Sequence, residues 1–141
     1  MKNYPKSLAA LPPEFFQIPY NARQIPGGAS LDDLSGGANC QVLAYAILRY
    51  FGYELPPFRS SELWADTEYT RIVEPPFEPL DIMLYHRHQE AFGAHVGLYW
   101  GEGKVLHLSK GNGLPAIEEH ADLLQQEKYR CFIGAKRLVG N

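Results

Sequence analysis

Residues 40–51, Cys-Gln-Val-Leu-Ala-Tyr-Ala-Ile-Leu-Arg-Tyr-Phe, carry the best helical pattern in this chain, while from residue 67 onward the pattern is mostly that of strands. Leu43, Ile47 and Tyr50 recur at helical spacing, with Ala44, Ala46 and Phe51 beside them. Asn39 is placed to cap the helix start and Gly52 to stop its end. A helix-rich first half followed by a strand meander argues against a βαβ sheet. It predicts an α+β layering: N-terminal helices packed on an antiparallel sheet of about five strands. The expected strands are 69–73, 81–86, 95–100, 104–109 and 130–138, with a tight hairpin at Gly101-Glu102-Gly103. Shorter helices are expected near Pro13–Phe16, over 60–66 with a serine cap, and over 121–127. Pro12-Pro13, Pro19, Pro26-Gly27-Gly28 and Gly36-Gly37 break the first 38 residues into irregular pieces.

The 141 residues fit a single domain, with 1–19 as an irregular lead. Thirteen Lys and Arg against sixteen Asp and Glu leave a net charge of −3, so the basic footprint of a nucleic-acid binder is missing. No run approaches the roughly 20 apolar residues that span a bilayer. The first residues lack a signal-peptide core, so the expectation is a soluble chain, cytoplasmic as synthesised. Two cysteines, Cys40 and Cys131, are too few for a disulfide scaffold, although a single bridge between them is open.

Cys40 falls on the first turn of the buried helix, where free N–H groups and the helix dipole stabilise a thiolate and lower a thiol pKa. Gly36-Gly37-Ala38 just before it let another backbone or a substrate approach closely. Cys131 sits in a strand-like run and reads as core. A thiol nucleophile needs an imidazole to take and return its proton. A hairpin centred on Glu102 sets His95 opposite Ser109 and His107 opposite Gly97, so the two histidines share a face one step apart. His95 is then the base and acid, and His107 the group that holds its ring. A neutral imidazole in that place fixes the tautomer but stabilises an imidazolium less than a carboxylate does. A metal site is the rival use of histidine here, because His86 and His88 stand at i, i+2 with His95 following; no standard ligand spacing supports it.

The block His95-Val-Gly-Leu-Tyr-Trp-Gly-Glu-Gly-Lys-Val-Leu-His107 resembles the H-V-G-[IL]-Y-x-G-x-G-x-x-[IL]-H block of the NlpC-type cell-wall cysteine peptidases of the papain-like superfamily. Pro79-Leu80-Asp81-Ile82-Met83-Leu84-Tyr85 is similar to that family's P-G-D-[IL]-x-x-[FY] strand, with Leu80 where Gly is usual. Gly134-Ala135-Lys136-Arg137 is similar to its final strand. The likeness runs from about Tyr20 to Leu138, specific in the second half and loose in the first. It implies a papain-like fold and acyl transfer: Cys40 attacks an amide carbonyl, His95 protonates the leaving amine, and His107 orients His95. Tyr20 would assist the oxyanion, and Asn39 and Gln41 would meet the substrate. The resemblance implies no cofactor. The partner it implies is a peptidoglycan stem peptide or muropeptide fragment. A delivered toxin or phage component would add a delivery or immunity protein.

The sequence also departs from the family. The usual D-C-S-G is here Asn39-Cys40-Gln41-Val42. In cell-wall members the Asp and Ser help grip a free amine. Asn39 has no charge to offer and Gln41 is bulkier, so that specificity is not carried over. Tyr20 lies twenty residues before Cys40, which places an insertion within 22–38. The same Cys–His pair on this fold also suits an acyltransferase or thioesterase, and a binding module could keep the fold without catalysis.

Overall fold

The computed structural model describes residues 4–139. Six strands form one antiparallel sheet: β1 (Thr70–Val73), β2 (Ile82–His86), β3 (His95–Gly101), β4 (Lys104–His107), β5 (Ala116–Glu119) and β6 (Cys131–Leu138). Their order across the sheet is β1-β6-β2-β3-β4-β5. The helices are α1 (Cys40–Tyr50), α2 (Ser60–Ala65) and a single turn, α3 (His120–Leu123), with 3-10 turns at Pro13–Gln17 and Glu127–Tyr129.

The expected helices-on-sheet layering holds, but the strand count rises from about five to six. The additional strand, β5, has the sequence Ala-Ile-Glu-Glu and a half-exposed burial pattern. Two acids and an edge position hide it from hydrophobic alternation. The helix expected over 121–127 is instead the short α3 followed by the 3-10 turn at Glu127–Tyr129.

Two apolar layers flank the sheet, and strand alternation assigns side chains to them. Ile82 and Leu84 of β2, Val96 and Leu98 of β3, and Leu106 of β4 pack with Val42, Leu43 and Ile47 of α1. Met83, Tyr85, Val105 and Ala135 point to the other face, where they meet Leu123 and Tyr129. β2 is therefore buried on both faces and reads as an unbroken apolar run. Among the described residues no helix is long and apolar enough to cross a membrane.

Two caps position α1 and α2. Asn39 caps α1 as expected, its side-chain oxygen accepting from the Val42 N–H at 2.8 Å. At α2 the expected serine cap is absent: Arg59 holds the cap position, and Glu62 accepts from the Arg59 N–H. Ser60 is buried, and its hydroxyl accepts from the Ala94 N–H at 3.1 Å. That bond ties α2 to the residue preceding His95. Leu80, standing where the resembling family has Gly, adopts φ +80 and is fully buried, so a side chain has been fitted into a backbone conformation that favours glycine.

Candidate active site

Cys40 opens α1, and α1 lies against β3. The thiol feels the backbone N–H groups of Val96, Gln41 and Cys40 itself, so the sulfur sits where the helix start meets the first residues of β3. The approach to it is tightly built. Pro19–Asn21 runs beside residues 36–38, with Ala38 N–H donating to Pro19 O and Asn21 N–H to Ala38 O. A Cβ on Gly37, at φ +90, would stand 2.6 Å from Pro19 O. Only glycine fits there, and the close approach expected of Gly36-Gly37-Ala38 is realised by the chain's own backbone. This pairing brings Tyr20 beside Cys40.

The histidines come together through the β3–β4 register. Leu98 pairs with Leu106 and Tyr99 with Val105, the register that a turn centred on Glu102 predicts. Strand β4 ends at His107 rather than at Ser109, because the chain then turns toward β5. Gly97 faces His107 across the ladder, and a Cβ at Gly97 would lie 3.2 Å from His107 Cβ and 2.6 Å from Val105 Cγ1. The missing side chain leaves room for His107 to reach diagonally to His95. The rings meet edge to face, with His95 Nε2 2.9 Å from His107 Nδ1.

Behind His107 stands a carboxylate that the sequence reading missed. Glu118 Oε2 lies 2.5 Å from His107 Nε2 and accepts from Asn112 Nδ2 at 2.9 Å. Glu118 belongs to β5, the strand without a sequence signal. Period-two alternation along Ala-Ile-Glu-Glu would have aimed it at His107 once β5 was paired with β4.

The chemistry of these partners fixes the protons. Hydrogen bonds from Asn112 and His107 hold the Glu118 carboxyl below its ordinary range, so it is ionised and only accepts. His107 must then carry its proton on Nε2. Burial pushes the His107 pKa down, against the pull of Glu118, and leaves the ring neutral near pH 7 with an open lone pair on Nδ1. That lone pair accepts from His95 Nε2–H. His95 is driven well below the ordinary histidine value by burial, then by His107 and Lys128, so it too is neutral. Its remaining nitrogen, Nδ1, is the free base. The Tyr129 ring stacks on the His95 ring at 4.5 Å and 21°, fixing its plane.

The thiol departs from expectation. Burial raises the Cys40 pKa, and this outweighs the lowering by the Val96 N–H of β3, the N–H groups of the helix start and Arg59. The resting pair is a thiol and a neutral imidazole rather than a thiolate and an imidazolium.

Cys40, His95, Tyr20 and Tyr129 line one cleft, bounded on one side by residues 85–88 and 93–94 and on the other by 108–111. The remaining sequence candidates lie off its walls. Asn39 is spent on its capping bond. Gln41 is 4% exposed, and its amide donates to Phe58 O and Tyr45 Oη, so its side chain turns into the core rather than toward a substrate. Cys131 is partly exposed rather than core, because it starts β6 opposite His86 at the sheet margin. Both cysteines are free. His86 and His88 stand at the cleft mouth with rings 5.8 Å apart. Among the described residues no three His, Cys, Asp or Glu side chains form a group that could hold a metal.

No family model and no curated protein matches the sequence. Solved structures do match. An NlpC/P60 family protein from Bacillus cereus is similar at TM-score 0.57 and 19% identity, over 75% of this chain and 33% of that one. The NlpC/p60 domain of the peptidoglycan hydrolase SagA is similar at TM-score 0.55 and 14% identity, over 90% of this chain and 91% of that one. The peptidoglycan hydrolase RipB of Mycobacterium tuberculosis is similar at TM-score 0.58 and 22% identity, over 89% of this chain and 60% of that one.

The fold is of the NlpC/P60 type. The chain spans about a third of the length of the Bacillus protein and nearly all of the SagA domain. In this NlpC/P60 fold the helix start and the central hairpin bring a thiol and an imidazole to one cleft, and β5 adds the carboxylate behind them.

Proposed function

We propose that the protein is a cysteine amidase that cleaves peptide amide bonds, with peptidoglycan stem peptides or their fragments as substrate. The hydrogen-bonded row Glu118–His107–His95, ending in the cleft that Cys40 shares, carries this reading. Two of the similar structures are peptidoglycan hydrolases, which points to the substrate class.

In the proposed reaction His95 Nδ1 takes the thiol proton as Cys40 Sγ attacks the amide carbonyl. The positive charge that forms on His95 is shared through His107 with Glu118, as a carboxylate stabilises an imidazolium in a triad. The Cys40 backbone N–H and the Tyr20 hydroxyl donate to the oxyanion. The C–N bond then breaks, the amine leaves with the proton from His95, and a thioester remains on Cys40. Water, deprotonated by His95, attacks the thioester, releasing a carboxylic acid and restoring the thiol. No cofactor enters. Cellular setting belongs to the proposal as well: the chain acts on fragments inside the cell or is carried to the wall by a delivery apparatus.

Muropeptides incubated with the wild-type protein and with Cys40→Ala test the reading by mass spectrometry. New amide-cleavage products with wild type alone support it. Products absent from both contradict it, and a stable acyl-enzyme formed from an activated ester without muropeptide cleavage assigns acyl transfer instead.

A further inference from the structure

We propose that Lys128 and Lys110 frame a carboxylate-binding subsite in the cleft, and that the amide cleaved there belongs to an acidic peptide. This rests on the amidase reading above and narrows its substrate.

The chain has more acids than bases, sixteen against thirteen. The cleft inverts that balance: Arg87, Lys110 and Lys128 line it, and no Asp or Glu does. A solvated protein surface mixes both signs; a concave wall of one sign focuses its field on the ligand. Of the three, only Lys128 borders both halves of the cleft. Its ammonium lies over the Tyr129 ring, 5.0 Å from the centroid, and that ring stacks on His95. The same nitrogen stands 3.4 Å from where a Cβ on Gly111 would be, so it lies between the Tyr129 ring and the 108–111 wall. A side chain at Gly111 would crowd it.

These cations have no carboxylate of their own. Among the described residues none of the ion pairs involves Arg87, Lys110 or Lys128. Glu118, whose charge Lys128 feels, is turned to His107 and Asn112. No carboxylate of the described residues stands on the walls to hold an ammonium, and of the residues flanking Cys40, Asn39 is engaged in its cap and Gln41 faces the core. A substrate carboxylate accepting from Lys128 fills an unmatched position, and a substrate ammonium meets repulsion. The subsite thus discriminates by sign of charge, with the carboxylate held at the Tyr129 lip and the neighbouring amide over Cys40.

Two reagents of one chemistry read the field directly. Iodoacetate and iodoacetamide alkylate thiols alike and differ in charge, and the uncharged free thiol N-acetylcysteinamide is the reference, since Cys131 donates to Arg87 O and shares its surroundings. At about pH 9 and low salt, the iodoacetate-to-iodoacetamide rate ratio at Cys40 should exceed that of the free thiol by roughly tenfold, a typical gain from local electrostatic steering. Lys128→Gln with Lys110→Gln should bring it to the free-thiol value, and Lys128→Glu should invert it. Arg71→Gln, on the edge strand β1, should leave it unchanged. Peptide amides differing only by carboxylate or carboxamide next to the scissile bond should show the same order in kcat/KM. Fast alkylation of Cys40 with no preference for the anion, or equal cleavage of both peptides, overturns the subsite and leaves the amidase reading standing. Failure of both reagents to label Cys40 overturns the amidase reading and the subsite with it.

Discussion

On the sheet side of the cleft, His95, His107 and Glu118 stand on three adjacent strands, and each is held by the next through a hydrogen bond. On the helix side, Cys40 stands alone at the start of α1, placed by the Asn39 cap and by the Pro19–Asn21 segment paired along residues 36–38. Register governs the first side: once Leu98 is opposite Leu106, every ring position follows. Packing and capping govern the second. The sheet side therefore sets proton positions, and the helix side sets where the sulfur lies and how far burial raises its pKa.

Replacing the reacting group on either side should have the largest effect. Cys40→Ala and His95→Ala should each lower kcat by about a thousandfold or more, and the double variant should lose little further, because the two act as one unit. A progress curve for muropeptide cleavage checks this; additive losses would separate the two sides.

Glu118→Gln should come next. It removes the charge behind His107 and lets the His107 proton move to the other nitrogen, costing about tenfold to a hundredfold in kcat, the usual scale for losing a group that orients an imidazole. Since Glu118 touches no substrate, KM should hold, whereas Glu118→Asp should recover part of the rate. An unchanged kcat in Glu118→Gln would confine the proton relay to the two histidines.

Gly97→Ala tests the register itself. The new methyl would meet Val105, Leu106 O and His107 Cβ, so stability should fall by about 1–3 kcal/mol, the range for overpacking, with the His95–His107 bond broken. Asn39→Ala, on the other side, should cost about 1 kcal/mol through the lost cap and leave the acid limb of the pH profile in place. Urea unfolding measures both.

The smallest effect is on pH. In the proposed reaction His95 acts as a neutral base, and its pKa is depressed, so activity should be kept at neutral pH and lost as pH falls through that depressed value. Lys128 contributes to the depression, so Lys128→Gln should move the acid limb upward, toward the ordinary histidine value.

Much of this was legible in the residues. Asn39, Cys40 and Gly52 delimit α1 by capping chemistry alone, and Gly101-Glu102-Gly103 fixes the hairpin that sets His95 against His107. Local rules suffice where one turn or one cap decides. Glu118 was not legible, since β5 has no apolar alternation and becomes a strand only by pairing with β4. The pattern at 60–66 implies a serine cap because serine favours that position, yet Arg59 holds it and the Ser60 hydroxyl accepts from Ala94, thirty-four residues away. The thiol pKa also escaped the sequence: the helix field is local, whereas the burial that outweighs it comes from the assembled cleft.

Nitrogen-15 NMR of histidine-labelled wild-type protein at neutral pH tests the proton row most directly. The account predicts neutral rings at His95 and His107, both protonated on Nε2, with Glu118→Gln disturbing the His107 signal first. A proton on His95 Nδ1, or a charged His95 in the resting protein, would contradict it.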